Sequence, residues 1–147
     1  VASATLRAAD GTDKGTASLT SSGTSLSLAL SVSGLPAGEH GAHLHTVGSC
    51  DAPAFTTAGA HLNPHGKQHG TQNPQGSHLG DLPNLMVAAD GTGSLTIPLV
   101  GTTAEIEALL FDADGTALVV HAGPDDYLTD PSGNSGGRIA CGVLKRS

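Results

Sequence analysis

The stretch Ser25-Leu26-Ser27-Leu28-Ala29-Leu30-Ser31-Val32-Ser33 (SLSLALSVS) spaces Leu26, Leu28, Leu30 and Val32 two residues apart. Side chains alternate in direction along an extended chain, so these four share one face while small and hydroxylated residues share the other. That is the pattern of a strand with one buried side. Weaker versions occur at Ala4–Arg7, Thr16–Thr20, Ser94–Ile97, Ala117–Val120 and Arg138–Val143. The tetrapeptide Ala-Asp-Gly-Thr recurs at 9–12, 89–92 and 113–116. Asp-Gly supplies the left-handed dihedrals of tight turns, which predicts that each copy reverses an antiparallel pair. Only Thr103–Leu109, with Ala104, Glu105, Glu107 and Ala108, reads as a short turn of helix.

Composition points the same way. The 147 residues include 21 glycines but only three aromatics, Phe55, Phe111 and Tyr127, which suits a turn-rich all-β chain better than a helical bundle. The length is that of one domain, taken as 1–147. A net charge of −7 repels phosphates and excludes nucleic acid as a partner. No apolar run approaches the roughly 20 residues of a membrane-spanning helix. The chain begins with Val1 rather than methionine, so a removed leader is expected. Two cysteines, Cys50 and Cys141, allow two readings: a disulfide across a separation of 91, or a pair of buried thiols. Pairing would add about 4.6 kcal/mol on a chain-entropy basis and would place the protein in an oxidising compartment.

Two stretches refuse the strand pattern, Gly48–Asn84 and Ala122–Gly137. Loops of this length inside a compact domain are usually functional, and something must hold them. Histidine is the obvious means. In His40-Gly41-Ala42-His43-Leu44-His45, strand geometry turns His43 and His45 to one side and His40 to the other. His61, His65, His69, His78 and Asp81 follow in the long loop, and His121 closes the apolar run Ala117–Val120. Imidazole suits zinc and copper, and a carboxylate beside three imidazoles is an ordinary zinc set. So many donors exceed the needs of one ion and predict two. His65, in the turn-like segment NPHGKQ, is set aside.

The segments GEHGAHLH (38–45), GSCDAP (48–53), AGAHLNPHGKQHG (58–70), HLGDLPN (78–84), LVVHAGPDD (118–126) and GNSGGRIACGV (133–143) stand in this order along nearly the whole chain. Together they resemble the copper,zinc superoxide dismutases, and the short loops resemble the exported bacterial branch. The resemblance implies a Greek-key, eight-stranded antiparallel β-sandwich or barrel, immunoglobulin-like in class, with two long functional loops. It implies copper bound by His43, His45, His61 and His121, and zinc bound by His61, His69, His78 and Asp81, with His61 shared. Asp125 then matches the aspartate that orients a copper ligand and a zinc ligand, and His40 a structural histidine. Arg138 matches the arginine beside copper, and Cys50 and Cys141 the intrachain disulfide. Ala42 and Leu62 depart from the family, which often carries aromatics there.

The implied activity is dismutation of superoxide to dioxygen and hydrogen peroxide, with His61 and Arg138 as the catalytic side chains. The substrate is a small anion and the chain is acidic, so capture requires a local positive site, expected at Arg138 with Lys67 and Ser132 at the rim. A periplasmic or secreted location follows from the branch, and a homodimer is one of the assemblies that the branch contains. Rival readings are a copper carrier on the same sandwich, which would lack His61, His121 or Arg138, and a copper-only variant lacking zinc ligands. An adhesion sandwich that binds metal incidentally is a third.

Overall fold

A computed structural model describes residues 2–8, 10–22, 25–51, 55–62, 69–70, 72, 74, 80–99, 102–112, 115–127 and 135–146. The stretch of alternating leucines forms a strand over Ser25–Val32, with Leu26, Leu28, Leu30 and Val32 buried. Numbered in chain order, the strands are β1 (Ala2–Arg7), β2 (Asp13–Ser22), β3 (Ser25–Val32), β4 (Gly38–His40), β5 (Ala42–His45), β6 (Leu85–Val87), β7 (Gly93–Pro98), β8 (Ala117–His121), β9 (Arg138–Val143) and β10 (Lys145–Arg146). The one α-helix among the described residues is α1 (Thr103–Leu110).

The strands pair antiparallel in the order β4-β6-β7-β3-β2-β1-β9-β8-β5, with β10 beside β1. The two ends of this path, β4 and β5, are consecutive in sequence and separated only by Gly41. The chain therefore steps from one edge of the sheet to the other at that glycine, and the sheet nearly closes into a barrel. Backbone bonds fix the step: the His121 N–H donates to the Gly41 carbonyl at 2.7 Å, and the Gly41 N–H to that of Gly123 at 2.8 Å. A side chain at Gly41 would lie 2.9 Å from Ser135 Cβ, so the corner has no room for one.

Ten strands are seen among the described residues where eight were expected. β4 and β5 are one extended stretch interrupted at Gly41, and β10 is a two-residue addition whose residues pair with Ala2 and Ser3. Neither β10 (Lys-Arg) nor β6 (Leu-Met-Val) carries enough apolar alternation to announce itself; pairing with neighbours makes them strands.

The barrel is filled chiefly by leucine. Leu6, Leu19, Leu26, Leu28, Leu44 and Leu118 are fully buried in one cluster, with Ile106 and Leu110 of α1 among them. α1 begins at a capping box, in which the Thr102 side chain accepts from the Glu105 N–H and the Glu105 carboxylate accepts from that of Thr102. β8 is buried at all five positions because it is covered on both sides. Leu118 and Val120 face the main core, while Ala117 and Val119 pack with Phe55, Ala58 and Cys141 in a second cluster.

The Asp-Gly turns at 10–11 and 90–91 join β1 to β2 and β6 to β7, as expected, with both glycines left-handed. The third copy does not reverse a strand pair. It lies between α1 and β8, where the Gly115 N–H bonds Asp112; Ala113 and Asp114 lie outside the described residues. The capped helix before Gly115 decides what this segment connects.

Candidate metal centre

β5 lies between β8 and the long loop, and its register places the donors. His43 and His45 come from β5 itself, and His121 from the last position of β8. The loop joins by isolated antiparallel bridges, His61 opposite His45 and Asp81 opposite His43. Gly80 permits this: its backbone lies so close to β5 that an added Cβ would meet the Leu44 carbonyl oxygen at 2.3 Å. The Leu44 N–H donates to Gly80 at 2.9 Å, and the Gly80 N–H to Leu62 at 2.9 Å.

Two overlapping groups result. One ligand atom each from His43, His45, His61 and His121 lie within 4.8 Å of one another, as do atoms of His43, His61, His69 and Asp81. The expected ligand His78 lies outside the described residues, as do His65, Lys67 and Ser132. His40 stands apart from both groups, as expected, though the reason is that it belongs to β4 at the other edge of the sheet rather than to the strand that carries His43 and His45. Its Nδ1 lies 2.9 Å from the carbonyl oxygen of His121 and its Nε2 2.7 Å from that of Pro36, so it braces the β4 end against β8.

The bonds behind these rings fix which ring nitrogen carries a lone pair. His45 Nδ1 donates to the Gly59 carbonyl at 2.8 Å, and His121 Nδ1 to that of Gly136 at 3.2 Å. Carbonyl oxygens only accept, so each ring keeps its proton on Nδ1 and turns a bare Nε2 inward. His43 Nε2 lies 2.7 Å from Asp125 Oδ2, which leaves Nδ1. His43 Nδ1, His45 Nε2 and His121 Nε2 are buried with no protein partner. An unsatisfied buried polar atom costs about 1–3 kcal/mol, so three facing one another imply a guest that accepts lone pairs.

In the second group, Asp81 Oδ1 lies 2.7 Å from His69 Nδ1 and 3.0 Å from His61 Nδ1, and the two nitrogens are 3.2 Å apart. Donors around a tetrahedral ion at 2.0–2.1 Å stand about 3.3 Å apart, so this set needs little movement to close on one. Asp125 links the groups, since its Oδ1 takes His69 Nε2 at 2.8 Å while its Oδ2 takes His43.

Burial sets the protonation of the rings. It pushes His45 down to about 2, His121 to about 3 and His61 to about 4, and lowers His43 despite Asp125. Burial also opposes charge on His69, but hydrogen bonds to Asp125 and Asp81 outweigh it and hold that ring up at about 9. Against their own burial, bonds from the histidines hold both carboxylates well below the usual range. The signs predict the behaviour of the metal-free chain. Imidazoles with depressed values contribute stability above about pH 6.5 that is lost as pH falls towards 4 and below. His69, with a raised value, contributes stability below about 6.5 that is lost as pH rises through about 9. Metal-free protein should therefore be most stable near pH 7, about where the loss from His69 comes to balance the gain from the depressed rings, with the acid limb the steeper because several rings act there. Denaturant titrations from pH 4 to 10 check this, and a maximum near pH 9 would contradict it.

Arg138 opens β9 opposite His121. Its Nη1 donates to the Phe55 carbonyl at 2.7 Å and its Nη2 to that of Gly59 at 2.8 Å. Its partners are thus neutral, and its charge bears on both His45 and His121. The disulfide joining Cys50 to Cys141 holds the Phe55–Gly59 segment over β8 and β9. Sequence reasoning gave no role to Asn84, Tyr127 or the two carbonyls that grip Arg138. Asn84 stands in the segment DLPN beside Asp81, but nothing local marks its partner 41 residues away.

The family model for copper/zinc superoxide dismutase matches residues 13–144. A superoxide dismutase [Cu-Zn] of Caulobacter vibrioides is 44% identical over 148 residues, which cover 98% of this chain and 85% of that protein. Among solved structures, a SOD-like protein from Bacillus subtilis superposes with a TM-score of 0.89 at 40% identity, covering 97% of each chain. The Cu/Zn superoxide dismutase from Brucella abortus gives 0.77 at 30%, covering 99% of this chain and all of the other.

Proposed function

Since the chain belongs to the copper/zinc superoxide dismutase family, we propose that it converts superoxide to dioxygen and hydrogen peroxide outside the cytoplasm, with His61 shared between its two metals. His43, His45, His61 and His121 would hold copper, and His61, His69, Asp81 and His78 zinc. The supporting observation is the three inward-facing ring nitrogens of His43, His45 and His121, buried without a protein partner. Copper supplies one-electron redox chemistry when bound, and zinc, which has no second accessible oxidation state, supplies charge and geometry.

The chain's residues supply the rest. His61 turns Nδ1 towards Asp81 and His69, which leaves Nε2 to serve the other group and to hold the proton that a departing peroxide needs. Arg138, gripped by two carbonyls and still charged, offers its remaining N–H groups to a small anion. It supplies the local positive field that overcomes a chain charge of −7. The disulfide supports the extracytoplasmic setting, since such bonds persist where the milieu is oxidising.

Metal analysis alongside a superoxide-removal assay by pulse radiolysis tests the reading. One copper and one zinc per chain with fast removal is the expected result; zinc alone with no activity would point to structural metal binding. Arg138→Ala should lower turnover at low superoxide about ten-fold, or about 1.4 kcal/mol of barrier, with copper retained. Undiminished activity in that variant would remove the arginine from the mechanism.

A further inference from the structure

Among the described residues only two that are not glycine have left-handed backbones, Phe55 (φ 57°) and Tyr127 (φ 62°). Such conformations cost about 1–3 kcal/mol and persist where surrounding bonds impose them, commonly beside functional groups. Phe55 presents its carbonyl to Arg138. Tyr127 serves Asp125: its N–H donates to Asp125 Oδ1 at 2.7 Å. Four further hydrogen bonds hold this turn. The Tyr127 hydroxyl accepts from the Asn84 N–H at 2.8 Å, and the Tyr127 carbonyl from that of Gln72 at 2.8 Å. The Asn84 amide grips both sides of Asp125, with Nδ2 donating to its carbonyl at 2.9 Å and Oδ1 accepting from its N–H at 2.8 Å.

Asp125 is buried and takes His43 with one oxygen and His69 with the other. Its carboxylate can reach both rings only if its main chain is held still, and among the described residues between β8 and β9 no strand holds it. We infer that Asn84 and Tyr127 are positioning residues, a clasp that aims Asp125 and so tunes the affinity of both metal groups at once. The inference rests on the metal-binding reading above. The hydrogen bonds of both residues go to Asp125, to each other and to Gln72 rather than to a histidine ring, so both act through the aspartate.

The test uses zinc added to metal-free protein, with affinity measured by competition against a chromophoric chelator and folding checked by circular dichroism. Partners behind metal ligands typically command ten- to hundred-fold in affinity. Asn84→Ala should weaken zinc binding about ten-fold or more. Tyr127→Phe, which keeps the ring and removes only the hydroxyl acceptor, should weaken it about three-fold, below that range because the N–H bond to Asp125 survives. Combined with Asp125→Ala, each should add almost nothing, because the group it acts through is gone. If Asp125→Ala weakens zinc binding but Asn84→Ala and Tyr127→Phe leave it at the parent value, or their losses add to that of Asp125→Ala, the clasp is overturned and the metal-binding reading stands. If Asp125→Ala itself leaves zinc binding unchanged, the reading beneath falls, and the clasp with it.

Discussion

His61→Ala is expected to abolish tight binding of copper and zinc together, whereas His121→Ala should abolish that of copper alone. His61 contributes to both donor groups, with Nδ1 placed among Asp81 and His69 and the other nitrogen across the ring. His43 also lies within reach of both, but its Nε2 is committed to Asp125, which leaves a single lone pair to offer. Removing a ligand exceeds the ten- to hundred-fold effects of groups behind ligands, so each affected metal should weaken by more than about a hundred-fold. Activity in both variants should fall below about 1% of the parent on the same grounds. Metal content after dialysis against a graded chelator series measures the difference. Zinc retained at parent affinity in His61→Ala would show that the ring is not shared.

Breaking the disulfide should produce the largest change in stability. Cys50 and Cys141 close a separation of 91 residues, and releasing that constraint costs about 4–5 kcal/mol on the chain-entropy account. For a chain of this length that lowers Tm by roughly 10–15 °C. Function should follow, for a geometric reason. The bond holds Phe55 and Ala58 against Ala117, Val119 and Cys141. The carbonyls of Phe55 and Gly59 hold Arg138, and that of Gly59 also fixes the proton of His45. Reduced protein that remains folded at 25 °C should therefore lose about as much activity at low superoxide as Arg138→Ala, near ten-fold. Calorimetry with and without reductant, paired with pulse radiolysis, gives both numbers. A lower Tm with unchanged activity would detach the disulfide from the orientation of the arginine.

The sequence by itself determined the all-β class, through the two-residue spacing of Leu26, Leu28, Leu30 and Val32 and the short apolar runs that became β1, β2, β7, β8 and β9. It determined the short helix expected over Thr103–Leu109, which runs to Leu110, through its helix formers, and the common side of His43 and His45 through strand alternation. These are local properties, set by residues close enough in the chain to share a face, a cap or a turn. Tertiary structure decided what local pattern cannot carry. β6 and β10 exist because neighbours pair with them, and Gly115 lies in a helix-to-strand connection because α1 precedes it. The bare nitrogen on His45 and His121 is chosen by the carbonyls of Gly59 and Gly136, each at least 14 residues away. The aim of Asp125 is set by Asn84, 41 residues earlier. A side chain's charge state and direction depend on the groups packed against it, and those are assembled only when the barrel closes at Gly41.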